Sequence, residues 1–238
     1  KEFLLGINDT IEFKSIFIRK DLNNPLFNQK TYFYRFNRLF DEIEKNNIGL
    51  KNKKILDIGC SYGFLEKKLI EKGCTNIEAW DLQEPLENKN IYRDKWEHKI
   101  VNVENEWPDD DKKFDVIFAL EIIEHMIDTD KFIKKCKNKL MPNGILIIST
   151  PNIASLRSRA KLAIGRYPCS MEYRNMDHHV RMYTVPTLKS HLSEYGFKVN
   201  SCVGVNFLPI NWHKSKVLEL LSEFLADSFA ELCGSFIL

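Results

Sequence analysis

The sequence predicts an α/β fold, in which a mostly parallel sheet is covered by helices on both faces. From residue 51 onward, short apolar runs alternate with segments of helical periodicity, a pattern typical of strand–helix–strand units. The apolar runs are nearly continuous, as expected of strands that are buried on both faces. A glycine-containing turn at residues 59–63 joins the first run to the first helix. These three observations predict one domain built around a parallel sheet.

The elements follow in order along the chain. Four strands are predicted at 54–58, 76–80, 114–120 and 144–150. Between and after them, helices are predicted at 63–72, which ends at Gly73, at 129–140, which the sequence Met-Pro-Asn-Gly interrupts, and at 186–195, with Thr184 as N-cap. A further strand at 197–205, a helix at 215–226 and a final apolar strand at 234–238 complete the prediction.

Composition limits the class of protein. The chain has 238 residues, a net charge of +2 and 44% hydrophobic residues, which describes a globular domain without the strongly basic footprint of many nucleic-acid-binding proteins. No apolar run reaches the roughly 18 residues of a membrane span, and no signal-peptide pattern opens the chain. Six scattered cysteines without a C-x-x-C pair predict reduced thiols. We therefore expect a cytoplasmic protein.

Two segments lie outside the strand–helix alternation. Residues 1–50 contain the aromatic helix TYFYRFNRLFDEIEK and are predicted to form an N-terminal cap or lid, with simple core packing as the alternative. Residues 153–182 form a long connection that is rich in arginine and lysine. Connections of this length in a compact domain usually serve function. We expect this basic insertion to lie on the substrate side of a core that spans 51–238.

The turn after the first strand predicts a cofactor site. Glycines there allow the backbone to approach a ligand closely, and the turn reads D-I-G-C-S-Y-G. Asp57 precedes the first glycine, where its charge would repel a pyrophosphate but suits an ammonium or sulfonium. The third glycine of a dinucleotide fingerprint is absent, and no G-K-[ST] of a P-loop follows. Asp81 ends the second strand, where a carboxylate can accept hydrogen bonds from ribose hydroxyls.

These residues resemble the class I S-adenosylmethionine-dependent methyltransferases. LDIGCSYG is similar to the family's D-x-G-x-G-x-G motif, with Ser61 replacing the middle glycine, and AWD is similar to the ribose-binding motif. VNVENEWP, FDVIFALEIIEHM, LMPNGILIISTPN and HHVRMYT resemble later family segments, in the family's order, with Asn102 in place of the usual acid. The resemblance implies a Rossmann-like sheet of seven strands with the last one antiparallel. It also implies a cofactor site formed by Asp57, Gly59, Cys60, Ser61, Gly63, Asp81, Leu82, Asn102, Val103, Leu120 and Glu121.

Three histidines are candidates for the catalytic base. Methyl transfer from a sulfonium is an in-line displacement, so the enzyme mainly positions the acceptor and removes its proton where necessary. Histidine titrates near neutral pH and suits that task. His125 follows the fourth strand, and His178 and His179 end the basic connection. For each of them, a structural hydrogen bond is the alternative.

The sequence EIIEH also allows a metal site. Glu121, Glu124 and His125 stand at i, i+3 and i+4, on one face of any helical turn, and His179 could join them. Some family members with E-x-x-E-H, such as the ubiquinone-type and small-RNA 3′-end O-methyltransferases, use a divalent cation. Metal-free relatives carry the same short sequence. The sequence therefore allows a divalent metal but does not favour one.

The acceptor is expected to be small and anionic. Arginine binds phosphate and carboxylate groups in a bidentate manner, and the basic connection supplies several arginines. The candidate substrate-binding residues are Tyr34, Tyr167, Arg174, Arg181 and Tyr183.

The sequence thus predicts a methyltransferase that acts on an oxygen or nitrogen of a small metabolite or sugar. Two alternatives stay open: a methyltransferase for RNA or protein, and an inactive cofactor-binding partner subunit. Neither the acceptor nor the oligomeric state can be derived from the sequence.

Overall fold

A computed structural model describes residues 29–83, 93–168, 179–207 and 216–238. Its seven strands are β1 (Ile55–Ile58), β2 (Ile77–Asp81), β3 (Glu97–Ile100), β4 (Phe114–Leu120), β5 (Leu140–Pro151), β6 (Val203–Val205) and β7 (Ser235–Ile237). They form one sheet in the order β3-β2-β1-β4-β5-β7-β6. Strand β7 runs antiparallel to both of its neighbours, whereas the pairs from β3 to β5 are all parallel. The predicted seven-stranded Rossmann-like sheet with an antiparallel last strand is confirmed.

Six α-helices accompany the sheet in the described ranges. They are α1 (Gln29–Lys45), α2 (Phe64–Glu71), α3 (Thr129–Lys139), α4 (Leu156–Ala163), α5 (Val185–Glu194) and α6 (Lys216–Ser228). The predicted cap of α5 is confirmed, because the Thr184 side chain accepts a hydrogen bond from the Thr187 amide and the Thr187 hydroxyl is paired with the Thr184 amide in return. Three of these helices, α2, α3 and α5, each lie within one residue of the ranges that the sequence predicts.

The sheet is covered on both faces because successive strand residues point to opposite sides. In β1, Ile55 joins the apolar cluster that α1 and α2 cover. Leu56 and Ile58 join the other cluster, which α3 and α5 cover. All four residues of β1 are buried, as in a strand that is covered on both sides. This two-layer coverage leaves the carboxyl ends of the parallel strands as the edge where a ligand can bind.

Helix α1 packs into the core through five buried apolar side chains. They are Tyr34, Phe36, Leu39, Phe40 and Ile43. Arg38 of the same helix is also buried and forms an ion pair with Asp227 of α6. The described apolar side chains of α1 thus pack in the core, residues 1–28 lie outside the described ranges, and the cap or lid at 1–50 stays a prediction.

Three elements differ from the sequence expectation. Strand β3 was not predicted, because its sequence Glu-His-Lys-Ile is polar, as suits an exposed edge strand that is stabilised by ion pairs such as Lys99 with Glu78. Of the strand expected at 197–205, only Val203–Val205 pairs with the sheet. Strand β5 already begins at Leu140 and includes the 141–144 segment, which is accommodated by a register shift between Phe114 and Val116.

Gly204 tests the packing of β6 against the segment before β7. A β-carbon at Gly204 would lie 2.3 Å from Cys233 Sγ and 2.7 Å from the Ala226 carbonyl oxygen. We expect Gly204→Ala to lower the free energy of unfolding by about 2 kcal/mol, because neither neighbour can move freely. Gly49→Ala is the matched control, since nothing lies within 4 Å of a β-carbon there. Urea denaturation measures both, and equal stabilities of the two variants would contradict this packing.

No described helix is long and apolar enough to cross a membrane. The five described cysteines, Cys60, Cys74, Cys136, Cys202 and Cys233, are free thiols.

Candidate functional site

The glycine-containing loop lies directly after β1 and adopts left-handed backbone conformations. Gly59, Ser61 and Gly63 have φ angles of 86°, 50° and 77°. The Gly59 amide donates a 2.7 Å hydrogen bond to the Trp80 carbonyl of β2. The loop is therefore fixed to the neighbouring strand, and its backbone curves around the carboxyl end of β1.

Two side chains outside the loop hold it in place. A β-carbon at Gly59 would lie 2.2 Å from Ile122 Cδ1, and one at Gly63 would lie 3.2 Å from Trp96. The positive φ angle favours glycine at both positions, and these side chains leave little room for a β-carbon. The sequence motif predicts the glycines, but it contains no signal for the two side chains near them. Ile122 follows β4, and Trp96 precedes β3.

Asp81 ends β2 beside the loop, as predicted. Its carboxylate accepts hydrogen bonds of 2.7 Å from the amides of Ser61 and Leu82. An ionised carboxylate has about four acceptor sites, so it can accept more than two hydrogen bonds. Asp81 is only partly buried. This arrangement suits the ribose hydroxyls of a nucleoside ligand.

Asp57 and Glu66 form a buried carboxyl pair beneath the loop. Asp57 is 3% exposed at the end of β1, and Glu66 of α2 is fully buried. Burial raises the pKa of Asp57 to about 7, and the charge of Asp81 adds to this increase. The interaction with the Glu66 carboxyl group lowers the pKa of Asp57. Burial and the charge of Asp57 raise the pKa of Glu66 well above its usual value. The sequence predicts Asp57 as a cofactor residue but gives no sign of Glu66.

The segment after β3 returns to the same edge of the sheet. The Val101 amide donates to the Asp81 carbonyl at 2.8 Å, so Asn102 and Val103 follow next to Asp81. Asn102 is exposed, and its Oδ1 accepts a 3.1 Å bond from the Glu104 amide. The Glu104 carboxylate accepts bonds from the amides of Ile127 and Asp128. These contacts join the segment of Asn102 and Val103, which the resemblance assigns to the cofactor site, to the loop that follows β4.

Strand β4 ends in a strained residue that is tied to two other elements. Glu121, which follows Leu120, has a φ of 56°. Its carboxylate accepts a 2.9 Å hydrogen bond from Ser149 Oγ of β5 and forms a 3.2 Å ion pair with Arg35 of α1. Arg35 and Glu121 are 15% and 21% exposed. The N-terminal helix is thus bonded to the expected cofactor edge.

The Arg35–Glu121 ion pair can be tested by a double-mutant cycle. Because both side chains are largely buried, we expect Arg35→Met to lower the free energy of unfolding by about 2 kcal/mol. The coupling energy between Arg35→Met and Glu121→Gln should be about 1 kcal/mol, measured by urea denaturation of the four proteins. Additive effects of the two substitutions would show that the pair contributes nothing.

Glu124, His125 and His179 come together beyond the end of β4. One potential ligand atom from each of them lies within 4.8 Å of the others. The rings of His125 and His179 meet edge to face with their centroids 4.9 Å apart. The amides of Val180 and Arg181 donate to the Glu124 carbonyl at 2.8 and 3.0 Å, which brings His179 to the turn Ile123–His125. Of the predicted histidines, two are therefore adjacent, and His178 lies outside the described residues.

Two features of the cluster suit a divalent cation: the types of its donor atoms, and one buried carboxylate oxygen that has no hydrogen-bond partner. Glu124 is 1% exposed, its Oε2 accepts a 3.1 Å bond from Thr150 Oγ1, and its Oε1 is buried without a hydrogen-bond partner. Burial raises the pKa of Glu124 well above its usual value, and the charge of Glu121 adds to this. One carboxylate and two imidazoles are ligands that divalent transition metals accept. Glu121 is not part of this group, because Arg35 and Ser149 hold it.

The predicted substrate residues are dispersed. Tyr34 is buried, and burial raises the pKa of its hydroxyl to about 12, although the Ser222 side chain of α6 lowers it. The Tyr183 hydroxyl is 2.9 Å from His191 Nδ1, and Arg181 donates to the Ile127 carbonyl at 2.5 Å. Tyr167 is 64% exposed. These four side chains do not line one pocket, and Arg174 lies outside the described residues.

Comparison with known proteins identifies relatives in sequence and in fold. The sequence profile of a family described as "Methyltransferase domain" matches residues 29–201. The chain is 30% identical over 173 residues to a ubiquinone biosynthesis O-methyltransferase of Bartonella bacilliformis. The alignment covers 70% of this chain and 69% of that protein. It is 32% identical over 154 residues to a tRNA U34 carboxymethyltransferase of Nautilia profundicola, covering 62% of this chain and 47% of that protein. The crystal structure of a methyltransferase from Mesorhizobium loti aligns with a TM-score of 0.61 at 14% identity, over 84% of this chain and 95% of that one.

Proposed function

The chain belongs to the family of S-adenosylmethionine-dependent methyltransferases, and from this premise we propose that it methylates an oxygen atom of a small anionic metabolite. The donor binds against the loop at residues 59–63, with its ribose on Asp81 and its adenine along Asn102 and Val103. The rest of this proposed donor site is formed by Leu82, Cys60, Leu120 and Glu121. The acceptor lies beside Glu124, His125 and His179.

One observation carries this proposal: the donor loop and the cluster are in contact through a single short segment. Ile122 packs against Gly59 of the loop, and Glu124 and His125 follow only two and three residues later. Methyl transfer requires the donor sulfur, the methyl group and the acceptor atom to lie in line. A rigid link between the two sites supplies that alignment.

Glu124, His125 and His179 would hold a divalent cation on the acceptor side. Such a cation, when bound, lowers the pKa of a coordinated hydroxyl and orients a pair of neighbouring hydroxyls. The protein contributes the buried position of Glu124, the hydrogen bond from Thr150 of β5 and the two adjacent imidazoles. The name of the Bartonella relative, a ubiquinone biosynthesis O-methyltransferase, supports an acceptor with hydroxyl groups. In the absence of a metal, His125 or His179 would take the hydroxyl proton itself.

The anionic group of the acceptor is expected on the basic insertion. Arg157 and Arg166 are exposed there, whereas Arg159 already donates to the Ala154 carbonyl at 2.7 Å. The Nautilia relative, by its name, modifies tRNA, so RNA is the second candidate acceptor. The net charge of +2 favours the small molecule. An affinity for RNA that falls steeply with salt would favour the second candidate instead.

The proposal is tested by calorimetry and by an acceptor panel. Purified protein should bind S-adenosylmethionine and its demethylated product. In the presence of Mg²⁺, Mn²⁺ or Zn²⁺ it should methylate members of a panel of aromatic and sugar diols that carry a carboxylate or phosphate. Matched acceptors that lack the anionic group should react more slowly through a higher KM. Failure to bind either form of the cofactor would refute the proposal.

A further inference from the structure

A buried carboxyl group beneath the donor loop has no role in the proposed function. Glu66 lies in the first turn of α2, and it is fully buried. Both of its carboxyl oxygens lack a hydrogen bond of regular geometry. A β-carbon at Gly63 would lie 3.8 Å from Glu66 Oε2, so the carboxyl group points toward the loop. A buried polar group without regular partners is costly and is therefore a candidate for a functional role.

The charged groups that act most strongly on Glu66 are both carboxyl groups. They are Asp57 of β1 and Asp81 of β2. Two ionised carboxylates in contact and out of water would repel each other strongly. The pair is therefore expected to retain one proton near neutral pH. A proton on Glu66 directed toward Asp57 is consistent with the directions of both pKa shifts.

On the basis of the proposed function, we propose that Glu66 is a positioning residue that keeps a shared proton on the Asp57–Glu66 pair until the methyl donor binds. The donor carries both a sulfonium and an ammonium charge, and these favour the fully ionised pair. On binding, the carboxyl O–H bond breaks and the proton passes to solvent. The demethylated product lacks the sulfonium charge, so it should release less of the proton. Glu66 thereby helps the site to distinguish donor from product.

The same pair makes the stability of the protein depend on pH. A carboxyl group whose pKa is raised in the folded state contributes stability that is fully present below its unfolded pKa. That contribution is lost as the pH rises through the folded pKa, which for Asp57 is about 7 against an ordinary value of 3.8. The thermal midpoint of unfolding of the ligand-free protein should therefore decrease as the pH is raised from 5 to 8. Glu66→Gln should make this decrease smaller.

The direct test is calorimetry of donor binding to the full chain in two buffers of different ionisation enthalpy. For the unchanged protein, the heat of binding should differ between phosphate and Tris buffers by an amount that indicates proton release. This difference should be larger for S-adenosylmethionine than for its demethylated product. Donor affinity should increase from pH 6 to pH 8, by up to about tenfold per pH unit. In Glu66→Gln, both the buffer difference and the pH dependence should decrease. Titration of the donor itself is common to both proteins and cancels in the comparison.

Glu71→Gln is the matched control, because Glu71 lies on the same helix but is exposed. It should behave like the unchanged protein. An unchanged buffer dependence in Glu66→Gln would overturn the proposal. So would the absence of proton release from the unchanged protein, a result that stands even if the variant fails to fold. Absence of any donor binding at all would instead refute the proposed function, and this inference with it.

Discussion

Asp81→Ala is expected to weaken the binding of S-adenosylmethionine by about 100-fold, or about 2.7 kcal/mol. The substitution removes the carboxylate that would bind the ribose, and hydrogen bonds to a charged group are worth about 1.5–3 kcal/mol. It also removes the acceptor of the Ser61 amide, which holds the donor loop against β2. Isothermal titration calorimetry measures the change.

Two further variants separate these contributions. Asp81→Asn keeps one carbonyl acceptor and should lose about tenfold in affinity. Asp111→Ala removes an exposed aspartate from the loop before β4 and should bind the donor as the unchanged protein does. If Asp81→Ala bound the donor with unchanged affinity while remaining folded, the ribose assignment would be wrong.

Glu124→Gln is expected to lower the rate of methyl transfer by at least about 100-fold while leaving donor affinity within about twofold. The amide can still pair with Thr150, but it replaces an anionic metal ligand by a neutral one. Treatment of the unchanged protein with a chelator should have the same effect, and adding back a divalent cation should restore activity. Single-turnover assays with a reactive acceptor measure the rate.

The matched control is Glu106→Gln, at an exposed position in the loop after β3. Its activity should be unchanged. His179→Ala should resemble Glu124→Gln, because the two side chains contribute to one cluster. Full activity of the unchanged protein after chelation would exclude the metal and leave His125 or His179 as the proton acceptor.

The donor side of the site could be predicted from short sequence patterns because its chemistry is local. Glycines at positive φ must follow a buried strand, and a carboxylate must end the next strand, so Gly59, Gly63 and Asp81 stand out in the sequence. The mostly parallel sheet could also be predicted, since alternating strands and helices are typical of strand–helix–strand units. Strand β3 was missed because an edge strand need not be apolar.

The supporting residues could not be predicted, because their roles depend on contacts between distant segments. Arg35 reaches Glu121 across 86 positions of sequence, and Ile122 and Trp96 approach the glycine loop from other elements. The aromatic composition predicts Tyr34 and Tyr183 as substrate residues, but Tyr34 is buried in the apolar core and the Tyr183 hydroxyl is 2.9 Å from His191 Nδ1 of α5. Aromatic and basic composition alone does not distinguish packing from ligand contact.

The proposed site is tested most directly by a crystal structure of the protein with the demethylated cofactor and Mn²⁺, in which the anomalous signals of sulfur and manganese locate both atoms. We predict that the ribose lies on Asp81, that the manganese peak lies between Glu124, His125 and His179, and that the cofactor sulfur faces the manganese across a space large enough for the acceptor. A sulfur that points away from this cluster would contradict the proposed site.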